Sequence, residues 1–221
     1  MAMAQEITQK WKHNARTTLS HYAHKLLHKE RQFNFRHYLP LYFEQMIGSK
    51  TEVKIADLGA GLFCTIGNLW DTAKVKVVPS DILADRFREL LTEHKIAPVI
   101  PIEQQDMEAL TYEDQSFDII HCVNALDHCG DALEALSEMW RICKPGGWIY
   151  LRHYPHVGEH QRYCGLHQWN IDIDSKGVGI LWNKNFHFEM DSLFSGFQTH
   201  KGREYAYEPK DMIISILHKP L

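Results

Sequence analysis

An α/β fold with a doubly wound, mostly parallel sheet is predicted by three features of this 221-residue chain. Short apolar runs alternate with amphipathic stretches, a Gly-Ala-Gly turn follows the first clear run, and no internal repeat or low-complexity linker interrupts the alternation. A hydrophobic content of 44% can fill one sizeable core, and the length suits one such domain with a modest extension.

The chain begins with a basic arm. Residues 1–37 hold seven Lys or Arg against Glu6 and Glu30, a balance of +5, whereas the remainder holds 17 against 26, or −9. Ile7, Trp11, Ala15, Leu19, Tyr22 and Leu26 step by three and four, which is one face of a helix, and Lys10, Lys12, Arg16, Lys25, Lys29 and Arg31 occupy much of the rest. Such an arm can pack over the domain with a solvated basic face, or act as a lid whose cations attract an acidic or phosphate-bearing substrate. Nucleic acid is not the expected partner, because the whole chain is acidic and carries no nucleic-acid motif.

A helix is expected from Pro40, with Tyr42, Phe43, Met46 and Ile47 toward the sheet and Gly48 ending it. This divides the chain into a helical arm over 1–48 and a domain over 49–221. Strands are expected at 53–57, 76–79, after 99–102, at 117–123 and at 148–152, with helices over 83–94 and 131–143. In such sheets ligands collect at the carboxyl ends of the strands, where strand order reverses.

Gly59-Ala60-Gly61 breaks the first strand where a helix is expected to start. Without Cβ atoms the turn lets a polar ligand lie against backbone N–H groups at the positive end of a helix dipole. An ordinary βα turn would look similar. The dinucleotide fingerprint fails, since its third glycine falls at Cys64, and Asp57 would repel a pyrophosphate while suiting a cationic ligand.

Asp57-Leu58-Gly59-Ala60-Gly61 resembles motif I of the class I S-adenosylmethionine-dependent methyltransferases, with Phe63 in place of that family's third glycine. Further on, Asp81 ends strand two, Asp106-Met107 follows strand three, Ser116-Phe117-Asp118-Ile119-Ile120 opens strand four, and Arg141-Ile142-Cys143-Lys144-Pro145-Gly146-Gly147 resembles the family's turn into strand five. The resemblance spans roughly residues 53–152. It implies a Rossmann-like sheet of seven strands, one of them antiparallel, with S-adenosyl-L-methionine as cofactor. It further implies Asp57 at the methionine end over Gly59, Ala60 and Gly61, Asp81 and Ile82 at the ribose, and Asp106 and Met107 at the adenine. Asn124 would then lie in a loop, running to His128, that faces the sulfonium.

Acceptor chemistry is read from the segment after strand five. A methyl displacement needs a deprotonated acceptor, and a histidine near neutral pKa can take that proton. His153 is the first candidate by its place at the strand end, followed by His128 and His167; Tyr154, Tyr163 and Trp169 are candidate substrate contacts. No metal is expected, because the histidines sit on a loop with Pro and Gly that fixes no ligand geometry. Residues 169–174, a turn at 175–177 and residues 178–182 read as a β-hairpin inserted within 153–183, ahead of a short helix over 189–194 and strands at 198–205 and 212–218.

The stretch 165–170 resembles one in small bacterial methyltransferases of sugar or secondary-metabolite pathways, and the lack of a separate substrate domain points to methylation of a small molecule, at a hydroxyl oxygen. A non-catalytic adenosylmethionine-binding partner or regulatory subunit is the alternative that Phe63 keeps open. Five cysteines, an odd number without C-x-x-C spacing, read as reduced thiols. No apolar run approaches a membrane span and the first residues lack a signal-peptide core, so the expected enzyme is cytoplasmic.

Overall fold

In the computed structural model, residue 19, residues 34–203 and residues 211–221 are described. The basic arm of residues 1–37 therefore lies almost wholly outside the described residues. Leu19, its one described apolar position, packs against a small cluster of Leu62, Phe63, Phe87 and Leu91.

The main sheet has seven strands: β1 (Glu52–Leu58), β2 (Lys74–Asp81), β3 (Glu103–Gln104), β4 (Phe117–Val123), β5 (Cys143–His153), β9 (Phe197–Gly202) and β10 (Met212–His218). Their order is β3-β2-β1-β4-β5-β10-β9. β10 runs antiparallel to both of its neighbours, and the pairings among β1 to β5 are parallel. Strand order reverses between β1 and β4, which sets the ligand edge at their carboxyl ends.

Both faces of the sheet are covered, so its central strands bury apolar side chains on both sides. On one face α3 (Ala132–Ile142) buries Ala132, Ala135, Leu136, Met139 and Ile142 against Ala56, Leu58, Ile120, Ile149 and Leu151. Asp131 caps this helix, its carboxylate accepting from Leu133 N at 3.0 Å and Glu134 N at 3.2 Å. On the other face α1 (Phe43–Ile47) sets Phe43, Met46 and Ile47 against Val53, Ile55, Ile119 and Tyr150. That helix starts three residues later than Pro40, and Gly48 ends it with φ +56°.

Two expectations are corrected. No helix joins β1 to β2: residues 59–73 are turns and bends. The N–H groups of Gly59 and Ala60 both donate to Ser80 O, at 2.8 and 3.0 Å, and that of Gly61 to Asp81, so β2 takes the donors a helical first turn would present. Strand three follows 99–102 as expected, but it is short, and only Glu103–Gln104 pairs with β2.

The expected hairpin is a three-stranded sheet of β6 (Asn170–Ile173), β7 (Gly179–Trp182) and β8 (His187–Glu189). Asn183 makes the second turn, its side-chain oxygen accepting from Asn185 N and Phe186 N. Helices α2 (Ala84–Glu93), α4 (Val157–His160) and α5 (Met190–Leu193) complete the described elements. The end of the strand expected at 198–205 falls outside the described residues.

Candidate functional site

A cleft opens at the carboxyl edge of the sheet, where ligands of such folds collect. Gly59, Asp81, Ile82, Asp106 and Met107 line it together with Ser80, Gln105, Glu108, Ala125, His128 and Cys129. Gly59 is required sterically: its φ is +72°, and a Cβ there would overlap the Ala125 Cβ at the exit of β4. Gly61, at φ +73°, is different, since a Cβ there would meet nothing within 4 Å.

Asp81 organises the wall. One carboxylate oxygen accepts from Gly61 N at 3.1 Å and the other from Leu83 N at 2.8 Å, tying the glycine turn to the start of α2. Burial raises its pKa against the pull of these two bonds. A carboxylate with remaining lone pairs at this position can still accept from ligand hydroxyls. Asp106 is exposed and turns residues 106–109 through its bond from Glu108 N at 3.0 Å, leaving Met107 as an apolar surface inside the cleft.

Asp57, Ala60, Gly61 and Asn124 are not among the lining residues. Asp57 is buried, and because it pairs in register with His121 on β4 their side chains share a face of the sheet. His121 Nδ1 lies 2.8 Å from the Asp57 carboxylate and its Nε2 lies 3.0 Å from the Tyr42 hydroxyl. The Asp57 carboxylate is thus engaged by an imidazole on the neighbouring strand. Asn124, in a left-handed conformation at φ +51°, fastens β4 to β5: its N–H donates to Arg152 O at 2.9 Å, and its side-chain oxygen accepts from Tyr154 N at 3.1 Å.

The three candidate histidines converge on Asp127, which the sequence reading did not single out. It is buried in the turn Leu126–His128 after β4. His167 Nδ1 lies 2.7 Å from Asp127 Oδ2, His128 Nε2 lies 3.5 Å from the same oxygen, and His153 Nδ1 lies 3.9 Å from Oδ1. Burial pushes the Asp127 carboxyl up, but the His167 hydrogen bond and the charges of the surrounding histidines outweigh it and hold it below the ordinary range.

Only His128 of the three lines the cleft. Burial lowers its pKa in spite of the Asp127 charge. His153, 1% exposed, is lowered to about 4 by burial, again against Asp127. That depression makes His153 a weak proton acceptor at neutral pH, which disfavours the first-choice role that its strand-end position suggested. The only sequence signal for Asp127 was its place beside His128 in the loop after strand four.

Trp169 lies in the core, 3% exposed and stacked on Phe186, with its indole N–H donating to Gly130 O at 3.4 Å; it presents no free face to an acceptor. Tyr163 is half-buried, and its hydroxyl accepts from Asn170 Nδ2 at 3.1 Å. Tyr154 is half-buried at the end of β5. Phe63 packs with Leu62, Phe87 and Leu91 and does not line the cleft. Four cysteines are buried and Cys164 is exposed, all as free thiols. Among the described residues no helix is long and apolar enough to cross a membrane.

Residues 56–151 match a family described as a methyltransferase domain. The chain is 30% identical over 110 residues to a demethylmenaquinone methyltransferase of Streptomyces avermitilis, covering 50% of this chain and 46% of that protein. It is 27% identical over 144 residues to a ubiquinone biosynthesis O-methyltransferase of Leptothrix cholodnii, covering 60% and 59%. The chain thus spans about half the length of these relatives. A SAM-dependent methyltransferase structure from Methanosarcina mazei superposes with a TM-score of 0.51 at 17% identity, over 84% of this chain and all of that one, which shows the shared fold.

Proposed function

For a chain whose residues 56–151 match a methyltransferase domain family, we propose that it transfers a methyl group from S-adenosylmethionine to a hydroxyl of a small molecule. The observation that carries this reading is the convergence of Gly59, Asp81, Asp106 and Met107, from the ends of three adjacent strands, on one cleft.

The lining suits a nucleoside in its chemistry. Asp81 supplies an acceptor for a pair of hydroxyls, Met107 an apolar surface for a flat ring, and Gly59 the close approach of backbone that a side chain would block. Bound there, S-adenosylmethionine supplies an electrophilic methyl group. The chain's task is then to exclude water, hold the acceptor in line and leave its oxygen deprotonated. His128 reaches the cleft from the Asp127 cluster, so this is where the chain handles the acceptor's proton. The relative named as a ubiquinone biosynthesis O-methyltransferase supports an oxygen acceptor.

The reading as a non-catalytic binding subunit loses its main support, since Phe63 packs in a core away from the cleft. Incubation with methyl-tritiated S-adenosylmethionine and a panel of quinols, catechols and sugars tests the proposal. Label transferred to an acceptor oxygen supports it. Stoichiometric binding of the donor without transfer to any of them would favour the binding-subunit reading.

A further inference from the structure

Asp127, His128 and His167 bring one carboxylate and two imidazoles together, with ligand atoms all within 4.8 Å of one another. Asp127 Oδ2 is the common point, 2.7 Å from His167 Nδ1 and 3.5 Å from His128 Nε2. Donors bound to one first-row cation at about 2.0–2.2 Å stand roughly 3–4 Å apart, so small side-chain rotations suffice. The backbone prepares the arrangement, because Asp127 O accepts from both Gln168 N at 2.8 Å and Trp169 N at 3.2 Å. The turn after β4 is thereby locked to the segment that carries His167.

His153 is the independent observation. It is 1% exposed, both of its ring nitrogens lack a hydrogen-bond partner among the described residues, and Nδ1 is aimed at Asp127 Oδ1 from 3.9 Å. A buried imidazole with nothing to bond is costly and calls for an explanation. A carboxylate that swings Oδ2 onto a cation presents Oδ1 to a donor behind it, and metal-ligating carboxylates are commonly held this way.

We propose that Asp127, His128 and His167 form a binding site for a first-row divalent cation, with His153 positioning the carboxylate from the interior. Two imidazoles with one carboxylate select cations of the Zn²⁺, Fe²⁺ or Co²⁺ kind over Mg²⁺ and Ca²⁺, which prefer oxygen. His128 also lines the cleft, which puts the cation at its wall. Its use there as a Lewis acid on an acceptor oxygen rests on the methyl-transfer reading, whereas cation binding does not.

The test is titration of the tag-free full chain, freed of metal by chelator dialysis, with Co²⁺ followed by visible absorption and with Zn²⁺ by competition. One saturating equivalent is expected, at least tenfold weaker in Asp127→Asn and in His167→Ala, severalfold weaker in His153→Phe, and unchanged in His187→Ala on exposed β8. His167 has a side chain 34% exposed, so its variant should fold even if Asp127→Asn does not. Absence of saturable binding, or wild-type affinity in His167→Ala, overturns the proposal. Adenosylhomocysteine affinity measured in the same samples separates the two ideas: its loss with cation binding intact would sink only the cofactor reading.

Discussion

Replacing Gly59 and Gly61 by alanine, one at a time, should have unequal consequences. Both have positive φ, +72° and +73°, where an alanine costs about 1–2 kcal/mol. At Gly61 that is the whole penalty, since the added methyl meets nothing within 4 Å. At Gly59 the methyl overlaps Ala125 Cβ, which is fixed to the backbone after β4 and can yield only if the strand end moves; overpacking of this kind adds about 1–3 kcal/mol. At about 2–4 °C per kcal/mol for a domain of this size, Gly61→Ala should melt about 2–8 °C below wild type and Gly59→Ala about 4–20 °C below it. Differential scanning calorimetry decides the point. Equal melting temperatures, or a less stable Gly61→Ala, would refute the steric reasoning.

Removing the His128 side chain as His128→Ala should lower turnover about a hundredfold or more, the usual worth of a proton-handling group, while adenosylhomocysteine affinity stays within threefold; steady-state kinetics beside calorimetry checks this. Trp169→Ala should cost about 3–5 kcal/mol in urea denaturation, as befits a core residue, whereas a substrate contact would leave stability unchanged. Glu138 accepts from Arg141 Nε and Nη2, both at 2.7 Å, and from Leu110 N at 2.8 Å, and the Arg141 bonds lower its pKa. A depressed carboxylate stabilises fully above its unfolded value of 4.5 and loses that contribution as pH falls through the folded value. Glu138→Gln should therefore be about 2 kcal/mol less stable at pH 7, with the gap closing below about pH 4.5 in urea melts at stepped pH.

The sequence was most legible where a local signal and the global arrangement agreed. The apolar run of β4, the Asp131-capped face of α3 and the acids at the ends of β2 and β3 were each read at or near their positions. Long-range pairing hid the rest. Nothing local reveals that β2 takes the amide donors of the glycine turn, or that Asp57 and His121 stand side by side across a parallel register. The Asp127 cluster likewise gathers residues as far as 40 positions apart, and its carboxylate looked like an ordinary loop acid. Trp169 opens the strand expected at 169–174, and alternation alone gives no sign of which side of the added sheet is buried.

Titration calorimetry of adenosylhomocysteine against the wild-type chain and Asp81→Ala tests the cofactor site most directly. Asp81 holds the turn through Gly61 N and is the acceptor for ligand hydroxyls, each such bond to a charged group being worth about 1.5–3 kcal/mol. One site per chain is predicted, weakened at least tenfold in the variant while its far-ultraviolet circular dichroism is retained. A wild-type chain that binds none, or a folded Asp81→Ala that binds as tightly, would contradict the account.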